Sequence, residues 1–267
     1  MNSKKHSLNI DVFIPVRLDS SRLPGKALKK INNLPILKIL VDRLSLSKNI
    51  RHIVVCTTTS KSDDLIEKYC KKQKIMCHRG NKKDILKRFL IIAKKLKTDI
   101  IIDVEGDKLY TDPFFVDLIA EEMIKGKYDF VIGNDSKTIF NPKNHLIHGF
   151  IPAGFSFDAL IKICKLKKSK NTETGYKEFF LIPKLFKTYF FVPKFKSSLA
   201  KNIRLTIDYH EDIILAKKIF SLLNIKSNHK KILALFESHP ELIDITLNSN
   251  KIWQNNYDKN ITDFSLY

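Results

Sequence analysis

The feature that most narrows the fold of this 267-residue chain is the alternation of short β-branched runs with amphipathic helical stretches, from its start to about residue 135. Runs at Ile10–Val16, His52–Thr57, Met76–His78, Ile100–Val104 and Phe130–Ile132 read as strands. Between them, Leu34–Leu46, Ser62–Lys74, Lys82–Leu96 and Asp112–Lys125 carry apolar residues at helical spacing, as Ile85, Leu86, Phe89 and Ile92–Ala93 illustrate. Pro113 sits just inside its helix start, where a missing N–H costs nothing. Such alternation predicts right-handed βαβ units, hence an α/β fold with a Rossmann-like, mostly parallel sheet and helices on both faces. Sheets of this kind bind ligands outside the carboxyl ends of their strands, where strand order reverses. The loops after strands are therefore the places to search for chemistry.

The alternation breaks between about residues 136 and 200, where a helix near Phe157–Lys167 and the polar stretch Lys168–Thr174 suggest a small mixed α/β lobe. Regularity returns with a strand at Ile203–Ile207 and a helix at Glu211–Leu223. We expect one domain: a core of about 8–135 and 200–225, the lobe at about 136–200, and a helical tail at about 226–267 with Trp253 as a packing anchor. With 43% hydrophobic residues, the core needs neither disulfides nor a structural metal. The four cysteines form no CxxC pair, and Cys56 falls in an apolar run that reads as core. This usage fits a reducing cytoplasm. Asp11 interrupts the apolar stretch at the start, which reads as a first strand and not as a signal peptide. No run approaches the ~20 apolar residues of a membrane span, so no membrane insertion is expected.

The net charge of +20 would attract anions over long range. Its lysines are scattered along helices and are not interleaved with aromatics, so no stable nucleic-acid partner is expected. The charge concentrates usefully in one loop: Pro15, Val16, Arg17, Leu18, Asp19, Ser20, Ser21, Arg22, Leu23, Pro24, Gly25, Lys26. Arg17, Arg22 and Lys26 supply three cations, Ser21 a hydroxyl, and Gly25 close backbone approach or a positive φ. Arginine chelates phosphate oxygens and lysine adds a compact charge, so this composition suits a triphosphate. The glycine spacing fits neither a P-loop nor a dinucleotide-binding turn.

Acids gather at the end of another strand, in Asp103, Glu105 and Asp107. Charge buried on a core strand is expensive, so an acidic cluster at its carboxyl tip suggests a cation. Oxygen donors suit magnesium, which normally takes one or two protein carboxylates. Asp103 and Glu105 could equally hold lysines or a helix end. Thr57 and Thr58 end a strand and could hydrogen-bond a base, or be ordinary β-branched strand residues. In the stretch Arg79-Gly80-Asn81-Lys82-Lys83-Asp84…Arg88, Asn81 suits a helix N-cap and Asp84 its third position. Asp208 and Glu211 have the D-x-x-E form of another helix start.

The string Arg17…Ser21-Arg22-Leu23-Pro24-Gly25-Lys26 resembles the signature of the nucleotidyltransferases typified by CMP-Kdo synthetase. It is closer still to the spore-coat polysaccharide (SpsF-type) cytidylyltransferase-like proteins. Gly106-Asp107, Arg79-Gly80…Asp84 and Arg204…Asp208…Asp212 resemble further elements of that family. The resemblance implies a CTP-dependent cytidylyltransferase that transfers CMP to an acidic sugar or sugar phosphate, releases pyrophosphate and serves surface-polysaccharide synthesis. It implies that Arg17 and Lys26 bind phosphates, Lys26 stabilising the α-phosphate, with Arg22 a secondary contact. It implies Mg2+ on Asp107 and Asp208, with Pro15, Val16, Gly25, Glu105 and Gly106 around the nucleotide and Arg79, Gly80 and Asp84 near the nucleoside. The acceptor is expected under the lobe, where His145, His148, Gly149, Gly154, Glu173, Thr174 and Tyr176 are candidates, and the lobe is expected to pair two copies into a homodimer.

Three positions depart from the family: Lys108, Leu109 where a proline usually stands, and Glu105 in place of an uncharged polar residue. They keep a catalytically silent homologue among the alternatives. A metal-dependent glycosyltransferase of the same architecture is another, with Asp103-Val104-Glu105 approximating its DxD motif, and a basic nucleic-acid-binding protein is a third.

Overall fold

The computed structural model describes residues 8–173, 175–182, 184–195 and 202–259. Strand β1 (Ile10–Pro15) leads through the cationic loop to a hairpin of β2 (Lys30–Ile31) and β3 (Leu34–Pro35), then to helix α1 (Ile36–Leu44). The alternation continues as β4 (His52–Thr58), α2 (Asp64–Lys72), β5 (Met76–Gly80), α3 (Ile85–Leu96), β6 (Ile100–Asp103), α4 (Pro113–Gly126) and β7 (Phe130–Gly133). Then come α5 (His145–Phe150), β8 (Ala153–Ser156), α6 (Phe157–Leu166) and β9 (Thr188–Phe191), before α7 (His210–Leu222), α8 (His229–Ser238) and α9 (Leu247–Lys259).

Seven strands form one sheet in the order β5-β4-β1-β6-β8-β7-β9. Among the described residues, only β8 runs antiparallel to its sheet neighbours, β6 and β7. The central strands are buried along their whole length, as expected for parallel strands covered on both faces. Side chains alternate between two cores: Val12 and Ile14 join one with Leu40, Ile119 and Ile219, while Phe13 joins the other with Phe89, Phe155 and Leu160. The chain steps from β1 to β4 and β5 on one side, then returns past β1 to β6 on the other. Strand order thus reverses between β1 and β6, and the loops leaving these neighbouring strand ends frame a crevice.

The predicted α/β sheet is observed, with local corrections. The helix expected from Leu34 begins at Ile36, because Asn32 and Asn33 adopt left-handed φ values of 49° and 65° and close a hairpin first. The segment Ile203–Ile207 is buried throughout but is not a strand: its backbone joins no described ladder, and Ile207 N donates instead to Asp107 O at 2.9 Å. Asp84, not Asn81, caps α3, accepting from Lys87 N at 3.0 Å; Asn81 Oδ1 accepts from the amides of Lys83 and Asp84. Asp208 does not cap α7: Tyr209 is the N-cap, and Asp212 at the third helical position reaches back to accept from the amides of Asp208 and Tyr209 at 2.7 and 2.8 Å. Two strands of the sheet, β8 and β9, come from the stretch at about 136–200 that also lies over the crevice.

Candidate active site

The loop after β1 is shaped by anchors at both ends. Val16 N donates to Cys56 O at 3.2 Å, and Leu18 N donates to Asp63 Oδ1 at 2.8 Å. Thr58 donates to the other oxygen of Asp63, so the end of β4 holds the loop through that carboxylate. Buried Leu18 and Leu23 pin the middle of the loop. Gly25 adopts φ 70°, ψ 12°, a conformation that costs a residue with a side chain roughly 1–2 kcal/mol. Its amide closes the loop on Leu18 O at 2.9 Å and delivers Lys26 to the crevice.

The loop after β6 approaches closely. Gly106 N donates to Pro15 O at 3.1 Å, and a Cβ there would stand 2.9 Å from Val16 Cγ2. The contact turns Asp107 toward Lys26. The segment 203–208 completes the site, tied to Asp107 O through the Ile207 amide. Lys26 Nζ donates to Asp107 Oδ2 at 2.8 Å, Ile207 O at 2.8 Å and Asp208 Oδ1 at 3.2 Å. Arg22 also donates to Asp208 Oδ1, at 2.6 Å.

Charge here is mutually sustained. Burial works against the Lys26 ammonium, but Asp107 and Asp208 outweigh it and hold its pKa above the ordinary lysine value. Burial likewise opposes ionisation of Asp208, yet Lys26, Arg22 and Arg204 hold its pKa at about 2. Both groups are therefore charged throughout the physiological range.

The cleft around this cluster encloses about 630 Å³. Pro15, Val16, Arg17, Ser21, Arg22 and Lys26 line it from one side and Glu105, Gly106, Asp107 and Asp208 from the other. Arg17 reaches across to Glu173, donating to Oε1 at 2.6 Å. Among the described residues no group of three or more His, Cys, Asp or Glu gathers to hold a metal.

Several predicted residues stand outside the Lys26 cluster. Asp103 and Glu105 belong to a buried network: Tyr176 OH donates to Asp103 Oδ2 at 2.8 Å, and Lys177 Nζ stands 3.1 Å from Asp103 and 2.7 Å from Glu105. Lys108, which departs from the family pattern, also lines the cleft and pairs with Glu105 at 3.0 Å. Burial raises the Glu105 pKa, but Lys108 and Lys177 outweigh it and keep that carboxylate well below the usual range.

Thr57, Thr58, Arg79, Gly80 and Asp84 are not among the residues lining the cleft. Thr57 and Thr58 are buried on β4, and Arg79 pairs with Asp64 and Glu67. Gly80 has no room for a side chain, since a Cβ would stand 2.7 Å from Arg88 Cγ. Asp84 joins α3 to the lobe through Lys167 Nζ at 2.5 Å and Thr172 Oγ1 at 3.0 Å. Gly25 shapes its loop without lining the cleft.

Of the acceptor candidates, His145, His148, Glu173 and Tyr176 line the cleft. Gly149 packs under Leu205 and Gly154 under Ile119, and Thr174 lies outside the described residues. Arg88, from the stretch that the sequence singles out, lines the cleft, as do Lys82 and Lys177, to which the sequence reading gave no role although Lys177 adjoins the candidate Tyr176. That reading also missed the tail: Trp253, expected to be a packing anchor, faces the cleft with Asn256 and Tyr257. Their i, i+3, i+4 spacing marks a common helix face, but nothing local says where that face points.

A family model described as cytidylyltransferase matches residues 12–146. The chain is 32% identical over 240 residues to an uncharacterized protein of Methanocaldococcus jannaschii, covering 88% of this chain and 93% of that one. It is 28% identical over 217 residues to the spore coat polysaccharide biosynthesis protein SpsF of Bacillus subtilis, covering 78% of this chain and 85% of that protein. A cytidylyltransferase structure from Leptospira borgpetersenii superposes with a TM-score of 0.76 at 26% identity, covering 88% of this chain and 97% of the other.

Proposed function

The chain belongs to the cytidylyltransferase family and is a CTP-dependent nucleotidyltransferase, and from that premise we propose that it transfers CMP from CTP to a hydroxyl of an acidic sugar, releasing pyrophosphate, in surface-polysaccharide synthesis. One observation carries this reading: Lys26, Asp107 and Asp208, from three distant parts of the chain, meet within 3.2 Å of one ammonium.

Arg17, Arg22 and Lys26 bind the triphosphate, for which each exchanges a carboxylate partner for phosphate oxygens. Lys26, fully charged, faces the negative charge that develops on the α-phosphate during in-line attack. Positioning and charge neutralisation supply the rate, and the chemistry requires no covalent intermediate. Magnesium belongs to the same reading. Asp107 and Asp208 are the donors, and two converging carboxylates suit an ion that fills its remaining positions with water and phosphate oxygens. Bound there, it would neutralise charge on the transferring phosphate.

The DxD-like pair argues against a sugar-transferring relative, because Asp103 is fully buried and does not line the cleft. A cytoplasmic homodimer completes the proposal. No helix among the described residues is long and apolar enough to cross a membrane. Light scattering after size exclusion tests the dimer.

The decisive assay measures pyrophosphate release with each of the four ribonucleoside triphosphates, magnesium and a panel of sugar acids. Release with CTP and a sugar acid is expected. Faster turnover with another triphosphate, or with no sugar acid at all, would replace this reading.

A further inference from the structure

Resting on the reading that this cleft transfers CMP to a sugar, we propose that Trp253 on α9 is the shelf on which the pyranose ring of the acceptor stacks. Trp253 is the only tryptophan in the chain, and it stands partly exposed in the cleft that also holds Lys26, Asp107 and Asp208. Its indole is braced on two sides. Tyr257 stacks on it at 4.9 Å between ring centroids, and His145 meets it edge-on at 4.0 Å. Tyr257 in turn donates its hydroxyl to Glu178 Oε1 at 3.3 Å.

The helix beneath the shelf is fastened to the reaction centre. Arg204 donates to Asn250 Oδ1 at 2.5 Å and to Ser249 Oγ at 3.1 Å, one turn before Trp253. The same guanidinium lies 3.6 Å from Asp208 Oδ2. An aromatic plane thus keeps a set position relative to the carboxylate beside Lys26, as an acceptor site requires.

The chemistry of this wall fits a sugar ring better than another phosphate. A pyranose has an apolar C–H face and a polar rim, and a braced indole takes such a face at little entropic cost. Burial drives the His145 imidazole down to about 3, so it is neutral at working pH. Lys108 and Lys177, which also line the cleft, already pair with Glu105 at 3.0 and 2.7 Å. Arg17, Arg22 and Lys26, the cations assigned to the triphosphate, stand instead on the loop after β1.

A single tryptophan makes the test direct. The probe is 3-deoxy-manno-octulosonate, titrated while Trp253 emission is followed, with CTP binding measured separately by calorimetry. The sugar is expected to change the emission saturably at millimolar concentration. In the pyrophosphate assay, Trp253→Ala is expected to raise the KM for the sugar at least tenfold and leave that for CTP within twofold, and Trp253→Phe to recover most of the loss. The shelf is refuted if the sugar leaves the emission unchanged, or if Trp253→Ala raises the KM for CTP instead, which would assign the indole to the cytosine base. If the wild-type protein binds the sugar on Trp253 but releases no pyrophosphate with CTP, the proposed function fails and the shelf stands.

Discussion

Lys26 Nζ lies 2.8 Å from Asp107 Oδ2, across 81 residues of chain. The pair joins the two loops that flank the reversal of strand order, and it makes Asp107 the most exposed test of the site. Asp107→Ala is expected to lower kcat/KM at least about 100-fold, roughly 2.7 kcal/mol of transition-state stabilisation. Far-UV circular dichroism and Tm should show an intact fold. Wild-type turnover in this variant would remove Asp107 from the reaction.

Gly106 tests the closeness of the two loops separately from their charge. An added Cβ meets Val16 Cγ2 at 2.9 Å and Pro15 O at 3.2 Å, and the backbone oxygen cannot rotate away. Gly106→Ala should cost about 1–3 kcal/mol of stability, as overpacking does. It should also raise the KM for CTP, because Asp107 moves away from Lys26. Urea denaturation with steady-state kinetics checks both, and a variant with unchanged KM would show that the loops tolerate separation.

Arg204 is fully buried and serves Asp212, Asp208 and the start of α9 together. Removing it leaves buried Asp212 without its cation, while Asp208 keeps Lys26 and Arg22. Arg204→Leu is therefore expected to destabilise the fold by about 3–5 kcal/mol, measured as a lower urea midpoint at unchanged slope. A loss below about 1 kcal/mol would mean that Asp212 finds compensation elsewhere.

Stability should fall on acidification in two stages. Burial holds His148 and His145 down at about 3, so between their unfolded value of about 6.5 and pH 3 the unfolded chain binds more protons. Both histidines thus stabilise fully above about pH 6.5 and progressively less below it. His148→Gln should flatten this slope by at most about 1.4 kcal/mol per pH unit. Asp208, held at about 2, contributes at neutral pH and loses that contribution only between about pH 4 and 2. Equilibrium unfolding of wild type, His148→Gln and Asp208→Asn across pH 3–8 separates the stages. A wild-type curve flat from pH 7 to 4 would contradict the burial of the histidines.

Much of this site is legible in the sequence alone. Hydrophobic period marks β1, β4, β6 and β7, because a buried strand must be written in consecutive residues. The cations of Arg17, Arg22 and Lys26 share one loop and the acids near Asp107 another, so each half of the cluster could be found alone. The choices left open have a common form. Asp84, Asp208 and Asp212 all stand near a helix start, yet Asp84 caps α3, Asp212 reaches back from inside α7, and Asp208 turns to Lys26 and Arg22. Asp103, Glu105 and Asp107 alternate along one segment, yet the first two turn to Tyr176 and Lys177 and only the third to Lys26.

The sequence by itself determined the elements and their order, since local periodicity, glycine conformation and turn chemistry act over a few neighbouring residues. Only the tertiary structure decided which carboxylates meet the cleft, that residues 203–208 close it without forming a strand, and that the face of α9 bearing Trp253 turns inward. A carboxylate has the same local chemistry whether it caps a helix, neutralises a buried lysine or faces phosphate. The partner that packing brings to it, from far along the chain, selects among the three.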